Sequence, residues 1–273
     1  MKTALVGDIG GTNARFALWR DQRIEQIRVI PTADHARPEL AILAYLSEVD
    51  QPLKALEAVC LACAGPVGGD LFRFTNNHWQ LSREAFCREL GVKELLLIND
   101  FTAMALGMTR LHDGEPIPVC DGEPEPGRPR LVIGPGTGLG VAGLLPLSGG
   151  GWRALPGEGG HICLPVGSER EAAIWAHLHR SLGHVNAEAV LSGPGLLTLY
   201  RACCALDGQQ VAFDSPAAIT KAALAGDTYA LAVLEQFCRW LGRIVGDNVL
   251  TLGARGGVYI VGGVVPRFAE MFL

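Results

Sequence analysis

Two clusters of glycine, each set between apolar runs of strand length, constrain this chain more than any other feature. The first is Gly7-Asp8-Ile9-Gly10-Gly11-Thr12-Asn13, lying between Thr3-Ala-Leu-Val and Ala14-Arg-Phe-Ala-Leu-Trp19. The second is Gly134-Pro-Gly-Thr-Gly-Leu-Gly140, lying between Leu131-Val-Ile133 and Val141-Ala-Gly-Leu-Leu145. Paired glycines let a backbone curl and turn its N–H groups toward an anion. Glycine makes up 35 of 273 residues, against ~7% in an average chain, and follows no collagen period. A strand, a glycine turn and a strand at the head of each half predict a duplicated unit and not a solenoid.

The remaining pattern is α/β. Strands are expected at 3–7, 14–19 and 24–30, and a helix at 38–49 with Leu40, Leu43, Leu46 and Val49 on one face. A buried strand follows at 56–64. Ser82 caps a helix that Gly91 ends, and Leu95-Leu-Leu-Ile98 is a strand that delivers Asn99 and Asp100 at its C-terminal end. Ligands of open parallel sheets collect at such ends. Pro, Gly and acidic residues crowd 112–130, which places a junction between a small α/β domain, 1–111, and a large one, 112–273. Helices are expected at 169–182, 193–205 and 227–252, and a last strand at 258–261 before Gly262 and Gly263. The sequence stops in Val-Pro-Arg-Phe-Ala-Glu-Met-Phe-Leu273, which reads as a helix just begun whose large apolar residues lack a partner, so truncation is expected.

Composition narrows the function classes. With 49% hydrophobic and 19% charged residues the chain can build a core, and with Lys+Arg 23 against Asp+Glu 28 it offers nucleic acid no broad basic surface. The uncharged run Leu131–Trp152 holds eight glycines and two prolines, which argues against a membrane span. No signal peptide is visible, and eight cysteines in a chain this long do not make a secreted disulfide framework, so the cytoplasm is expected. Cys60 and Cys63 have CxxC spacing inside an apolar strand with no second pair, which favours buried structural thiols over a zinc or redox site.

Read from residue types alone, the first loop fits an ordinary tight hairpin as well as a phosphate cradle. Thr12 and Asn13 add polar donors, while Asp8 beside a phosphate would require an intervening cation such as Mg2+. In the second loop Gly138 to Gly143 satisfies G-x-G-x-x-G, yet a strand and not a helix follows, which excludes the dinucleotide reading; no Gly-Lys-Ser/Thr makes a P-loop. Two such loops fit a nucleotide held in a cleft between two halves. Asp100 is either a helix N-cap or a carboxylate that accepts a proton from an attacking hydroxyl. Glu158 and His161, on the flexible glycine loop Gly157-Glu-Gly-Gly-His161, and Glu188 have the chemistry to grip sugar hydroxyls, but their spacing does not by itself establish a sugar site.

Taken together, these segments resemble the bacterial glucokinase family of the hexokinase/actin-like ATPase clan. The matching runs are Leu5–Arg15, Thr75-Asn76 with Trp79, Ile98–Ala103, Gly136–Val141, Leu155–His161, Gly183-His-Val with Glu188, Val190–Leu196, and Gly256-Gly-Val to Gly262-Gly-Val-Val-Pro-Arg267. They fall in order along nearly the whole chain. The resemblance implies two ribonuclease H-like domains flanking a nucleotide and sugar cleft, and ATP-dependent, Mg2+-requiring phosphorylation of glucose to glucose 6-phosphate. It implies Asp100 as the base for the sugar 6-hydroxyl, with Asn76, Asn99, Glu158, His161 and Glu188 on the sugar. Gly7, Asp8, Gly10, Gly11, Thr12 and Asn13, with Gly136, Thr137 and Gly138, would cradle the ATP phosphates. Asp8 would face Mg2+, Gly262 and Gly263 would lie near the nucleoside, and a homodimer is implied.

Three departures from the family pattern stand out: Pro135 lacks a backbone donor, Asn77-His78 changes the order between Asn76 and Trp79, and family members continue for several dozen residues. A sugar-sensing transcriptional regulator would need a DNA-binding module, and no basic helix precedes the strand at Thr3. An actin-like or chaperone-like ATPase would have no use for Asn99, Asp100, Glu158, His161 and Glu188 together. Mannose or N-acetylglucosamine as substrate stays open.

Overall fold

The computed structural model describes residues 3–65, 67–75, 77–112 and 114–272. The chain divides into two compact units, Met1–Met104 and Ala105–Leu273.

The first unit runs β1 (Thr3–Ile9), β2 (Asn13–Arg20), β3 (Arg23–Pro31), α1 (Pro38–Glu48), β4 (Leu56–Cys63), β5 (Leu71–Arg73), β6 (Gln80–Ser82), α2 (Arg83–Leu90) and β7 (Glu94–Asn99). The next helix, α3 (Asp100–Gly107), crosses the division. Five strands form one sheet in the order β3-β2-β1-β4-β7, with β5 and β6 a separate hairpin. β1, β4 and β7 are parallel, and their register pairs Ile9 with Cys63 and Cys63 with Asn99, so their C-terminal ends share one edge. Side chains of Leu5, Phe16, Val59, Leu61 and Leu97 pack with Ile42 and Tyr45 of α1 and Phe86 of α2. The α1 helix forms where expected, but with a different buried face: Ala41, Ile42, Tyr45 and Leu46 go inward, while Leu40 and Leu43 stay 39% and 36% exposed. Tyr45 fixes that rotation, its ring 5.7 Å from the Phe16 ring and its hydroxyl donating to the Gln26 carbonyl at 3.0 Å. Ser82 caps α2 by accepting from the Ala85 N–H, and Gly91 ends it with a left-handed φ of 62°.

The second unit runs β8 (Arg130–Pro135), β9 (Leu139–Pro146), β10 (Trp152–Gly157), α4 (Glu169–Leu182), α5 (Gly193–Asp207), α6 (Pro216–Leu224), α7 (Thr228–Leu252) and β11 (Val258–Ile260). Its sheet order, β10-β9-β8-β11, repeats the first four places of the other sheet. In both, two antiparallel hairpins lead to a parallel partner. The expected duplication is thus a duplication of topology. Phe237, Trp240, Leu241 and Ile244 of α7 bury against the β8 residues Leu131 and Ile133. The run Leu131–Trp152 is a β-hairpin plus the start of β10, and among the described residues no single helix is long and apolar enough to cross a membrane.

One strand lies where none was expected, and one sequence expectation fails. Trp152–Gly157 forms an edge strand, where Pro156 is tolerated because an edge residue needs no donor on its outer side. Val265–Phe272 is a 3-10 segment kinked at Phe268, and that ring is 1% exposed, packed edge-on against Phe237 at 5.9 Å. Phe268 therefore has the partner that the sequence pattern did not reveal.

A buried carboxylate fastens α4 to α7. Ser168 accepts from the Glu171 N–H, and the Glu171 side chain reaches back to the Gly167 N–H at 2.7 Å, a variant of the capping box. Glu171, 3% exposed, also meets Arg243 and, at 3.1 Å, the Gln236 amide. Burial opposes its ionisation, but the hydrogen bonds from Arg243, Gly167 and Gln236 outweigh burial and hold its pKa below the ordinary carboxylate value. A lowered folded-state pKa means that the unfolded chain binds the proton more tightly. The contribution is present above the unfolded value near 4.5 and is lost as pH falls through the folded one. Arg243→Ala should cost about 3 kcal/mol at pH 7, because it strands that carboxylate. Urea unfolding at pH 7 and pH 3.5 checks this: the gap between variant and parent should narrow at the lower pH.

Candidate active site

In the first unit the glycine turn joins β1 to β2. The Gly10 N–H donates to the Asn13 carbonyl at 2.9 Å, closing the turn. Its carbonyls are all engaged from within the unit: Gly10 accepts from Asn77 Nδ2 at 3.0 Å, Gly11 from Thr32 Oγ1 at 2.9 Å, and Thr12 from the Thr32 N–H at 2.9 Å and Oγ1 at 3.1 Å. No protein acceptor meets the N–H groups of Gly11 and Thr12 among the described residues. Gly7 has another reason to be glycine. It lies inside β1, where a Cβ would come 2.8 Å from Leu61 and 2.9 Å from Phe16.

Asp8 pairs with Arg15 at 3.0 Å, both side chains more than half exposed, a pairing of the kind that contributes little and exchanges readily. Asp100 opens α3 at the same sheet edge, exposed, its Oδ1 accepting the Phe101 N–H at 2.8 Å. The helix cap is Asn99 and not Asp100. Asn99 Oδ1 accepts from the Phe101 and Thr102 N–H groups at 3.0 Å each, and its Nδ2 donates to the Gly65 carbonyl at 3.3 Å. Asp100 therefore shares only the Phe101 N–H, through Oδ1, and its Oδ2 is unengaged; among the described residues no cation pairs with it. Between these carboxylates lies the end of β4: burial first, then Asp100, Cys60 and Asp8, push the Cys63 thiol up to about 12. Burial also raises Cys60, so both thiols keep their protons at neutral pH. Asn76 lies outside the described residues.

In the second unit the loop between β8 and β9 is closed by the Gly136 N–H on the Gly138 carbonyl at 2.7 Å. The N–H of Gly193, at the start of α5, donates to the Gly136 carbonyl at 2.8 Å. Glu188 binds the loop directly, its Oε2 accepting the Leu139 N–H at 2.8 Å, while its Oε1 lies 3.4 Å from His161 Nε2. A Cβ on residue 138 would stand 2.4 Å from that Oε2. Buried Ser192 holds the carboxylate's backbone: its Oγ donates to the Glu188 carbonyl at 3.0 Å and accepts the Gly195 N–H at 2.9 Å. Glu158 is exposed, and the His161 N–H donates to its carbonyl at 2.9 Å.

The segment carrying Glu158 and His161 is a strand end and a 3-10 turn (Gly159–His161) rather than a flexible glycine loop. Gly159 and Gly160 serve close packing, since a Cβ there would come 2.8 Å from Val141 and 2.1 Å from the Leu139 carbonyl. Gly262, with φ +94°, likewise lies against the second loop, and the Val264 N–H donates to the Pro135 carbonyl at 3.3 Å. Gly263 faces open space.

The structure thus gathers Asp8, the first loop, Asn99 and Asp100 in one unit. It gathers the second loop, Glu158, His161, Glu188, Gly262 and Gly263 in the other. Sequence reasoning passed over Thr32 and Ser192. Thr32 acts across some twenty positions and carries no local signal, whereas Ser192 precedes Gly-Pro-Gly in an N-cap pattern that was legible.

A glucokinase family model matches residues 5–273. The glucokinase of Pseudomonas paraeruginosa is 58% identical over 270 residues, which are 99% of this chain and 80% of that protein. Among solved structures, a glucokinase from an Antarctic psychrotroph aligns with a TM-score of 0.88 at 35% identity, over 100% of this chain and 86% of its own. The glucokinase of Balamuthia mandrillaris in complex with glucose aligns with a TM-score of 0.73 at 25% identity, over 99% and 82%. With that family match over nearly its full length, the chain belongs to the glucokinase family.

Proposed function

We propose that this protein transfers the γ-phosphoryl group of ATP to the 6-hydroxyl of glucose in the cytoplasm, acting as a homodimer. The observation that carries the reading is Asp100: an exposed carboxylate at a parallel-strand end, its Oδ2 unengaged because Asn99 is the main cap, on the same edge as a glycine turn with two unengaged N–H groups. A carboxylate so placed accepts the proton of the attacking hydroxyl as the O–P bond forms. In this reading the N–H groups of Gly11 and Thr12 and, in the second loop, of Thr137 and Gly138 hold the phosphates, while the Gly136 N–H closes its own loop on the Gly138 carbonyl; Gly262 and Gly263 lie by the nucleoside. Asn99 has one Nδ2 hydrogen left for a sugar oxygen. Glu158, His161 and Glu188 take the remaining hydroxyls, each of which both donates and accepts.

The residues present fit Mg2+. Among them no cluster of three or more His, Cys, Asp or Glu side chains would cage a metal, and Mg2+ bound with a nucleotide needs only one or two carboxylates plus water and phosphate. Asp8 would hold it, exchanging Arg15 for the ion. When bound, the ion offsets the charge of the phosphate oxygens.

The direct test is ADP release from Mg-ATP with and without glucose, mannose, fructose and N-acetylglucosamine; stimulation by glucose above the other sugars is expected, and release indifferent to every sugar would refute the kinase reading. Asp100→Asn should lower kcat by about a thousandfold, within the range of general-base catalysis, while glucose affinity stays within a few-fold. Retained turnover in that variant would remove Asp100 from the role of base. Glu158→Gln should weaken glucose binding by about tenfold, in line with loss of one hydrogen bond to a charged group, and leave nucleotide affinity nearly unchanged. Titration of each ligand separately checks it.

A further inference from the structure

We infer that the Thr32 hydroxyl and the Asn77 side-chain amide are positioning residues for nucleotide binding, because together they fix the direction in which the first glycine loop presents its N–H groups. The inference rests on the reading of that loop as a phosphate cradle. A trans peptide is planar, with C=O and N–H pointing to opposite sides. The Gly10 carbonyl shares its plane with the Gly11 N–H, and the Gly11 carbonyl shares its plane with the Thr12 N–H. Whatever holds those carbonyls inward therefore aims the N–H groups outward. Asn77 Nδ2 holds the first at 3.0 Å and Thr32 Oγ1 holds the second at 2.9 Å. Thr32 holds the Thr12 carbonyl as well, through its own N–H, which stiffens the next peptide.

Both anchors are themselves fixed. Thr32 is 3% exposed, so its hydroxyl has little water to turn to. Asn77 Oδ1 accepts the Trp79 N–H at 2.9 Å, which sets the amide with its Nδ2 toward Gly10. Trp79, buried in the core of this unit, donates its Nε1–H to the His35 carbonyl at 2.7 Å, and His78 Nε2 meets the same carbonyl at 3.0 Å. Residues 77–79 thus clamp the segment that follows Thr32 as well as the loop itself. The Asn77-His78 pair, which departs from the family order, acquires a use in this clamp. Glycines at 10 and 11 alone would leave the loop many conformations, and a loop ordered only on binding gives up affinity to ordering.

The test compares Thr32→Val, Thr32→Ser and Asn77→Asp with the parent, reading Mg-AMP-PNP affinity by calorimetry and glucose affinity by tryptophan fluorescence. Valine keeps the shape of threonine without its hydroxyl, and serine keeps the hydroxyl. Aspartate at 77 keeps an acceptor for the Trp79 N–H but sets an oxygen against the Gly10 carbonyl. Nucleotide affinity should fall about five- to tenfold in Thr32→Val and in Asn77→Asp, the loss expected of one hydrogen bond. Thr32→Ser should stay within about twofold of the parent, and glucose affinity should move less than about twofold in all three. Unchanged nucleotide affinity in both damaging variants, or equal losses for nucleotide and glucose, would overturn the inference. If Thr32→Val does not fold, Asn77→Asp decides alone, since Asn77 is half-buried at the loop's rim. A parent protein that binds no Mg-AMP-PNP would instead refute the phosphate-cradle reading, and this inference with it.

Discussion

The carboxylate of Glu188 stands where a side chain on residue 138 would have to be, and the second unit is arranged around that exchange. Oε2 holds the Leu139 N–H at 2.8 Å, and a Cβ at position 138 would stand 2.4 Å from it. A side chain at 138 would push that carboxylate off the Leu139 N–H, so it is this contact, not the residue's own backbone angle, that glycine protects. Around that contact the same demand recurs. Gly134 meets the Val261 carbonyl, Gly160 the Leu139 carbonyl and Gly262 the Pro135 carbonyl at separations that leave no room for a methyl group. These glycines recur because backbones press together around the β8–β9 loop. Only a minority of these positions need a left-handed φ.

The first unit solves a different problem with a similar hairpin. Its sheet edge collects Asp8 and Asp100 beside the end of β4, and two carboxylates there make a further negative charge at Cys63 costly. The neutral, buried thiol suits the place, its pKa pushed up to about 12 by burial foremost. Asn99 then separates two tasks that the sequence alone could not separate. By capping α3 it leaves one Asp100 oxygen unengaged, as the proposed role of that carboxylate requires, and its hold on the Gly65 carbonyl ties the helix start to the end of β4.

Much of this was legible in the sequence. Strand and helix positions followed from periodicity, and caps such as Ser82 with Gly91 could be read directly. What escaped was long-range. The rotation of α1 depends on Ile42 and Tyr45 meeting the sheet, which no local count of leucines reveals. β10 was not expected at all, since three glycines precede it and Pro156 lies within it, though the edge position excuses the proline. Phe268 found Phe237 on a helix about thirty positions earlier. At the site, the residue types expected from the motifs could be named, but Thr32 could not, because a buried threonine after a proline is indistinguishable from ordinary core until its hydroxyl is seen on two loop carbonyls.

If the two hairpin loops hold phosphate as proposed, an acidic chain with formal net charge −5 holds a polyanion without basic side chains. A lysine or arginine attracts phosphate from any direction, and its side chain adapts. A peptide N–H carries only a partial charge and is useful only if aimed, so the requirement passes from the donor to whatever holds the opposite carbonyl. In the first loop that work falls to Thr32 and Asn77, in the second to the Gly193 N–H on the Gly136 carbonyl. Selectivity follows from the same economy of charge. Aimed amides reward a ligand whose oxygens match their spacing, and they offer little to an anion that merely carries the right sign. In that reading the donors are set before the ligand arrives, and less ordering remains to be done when it binds.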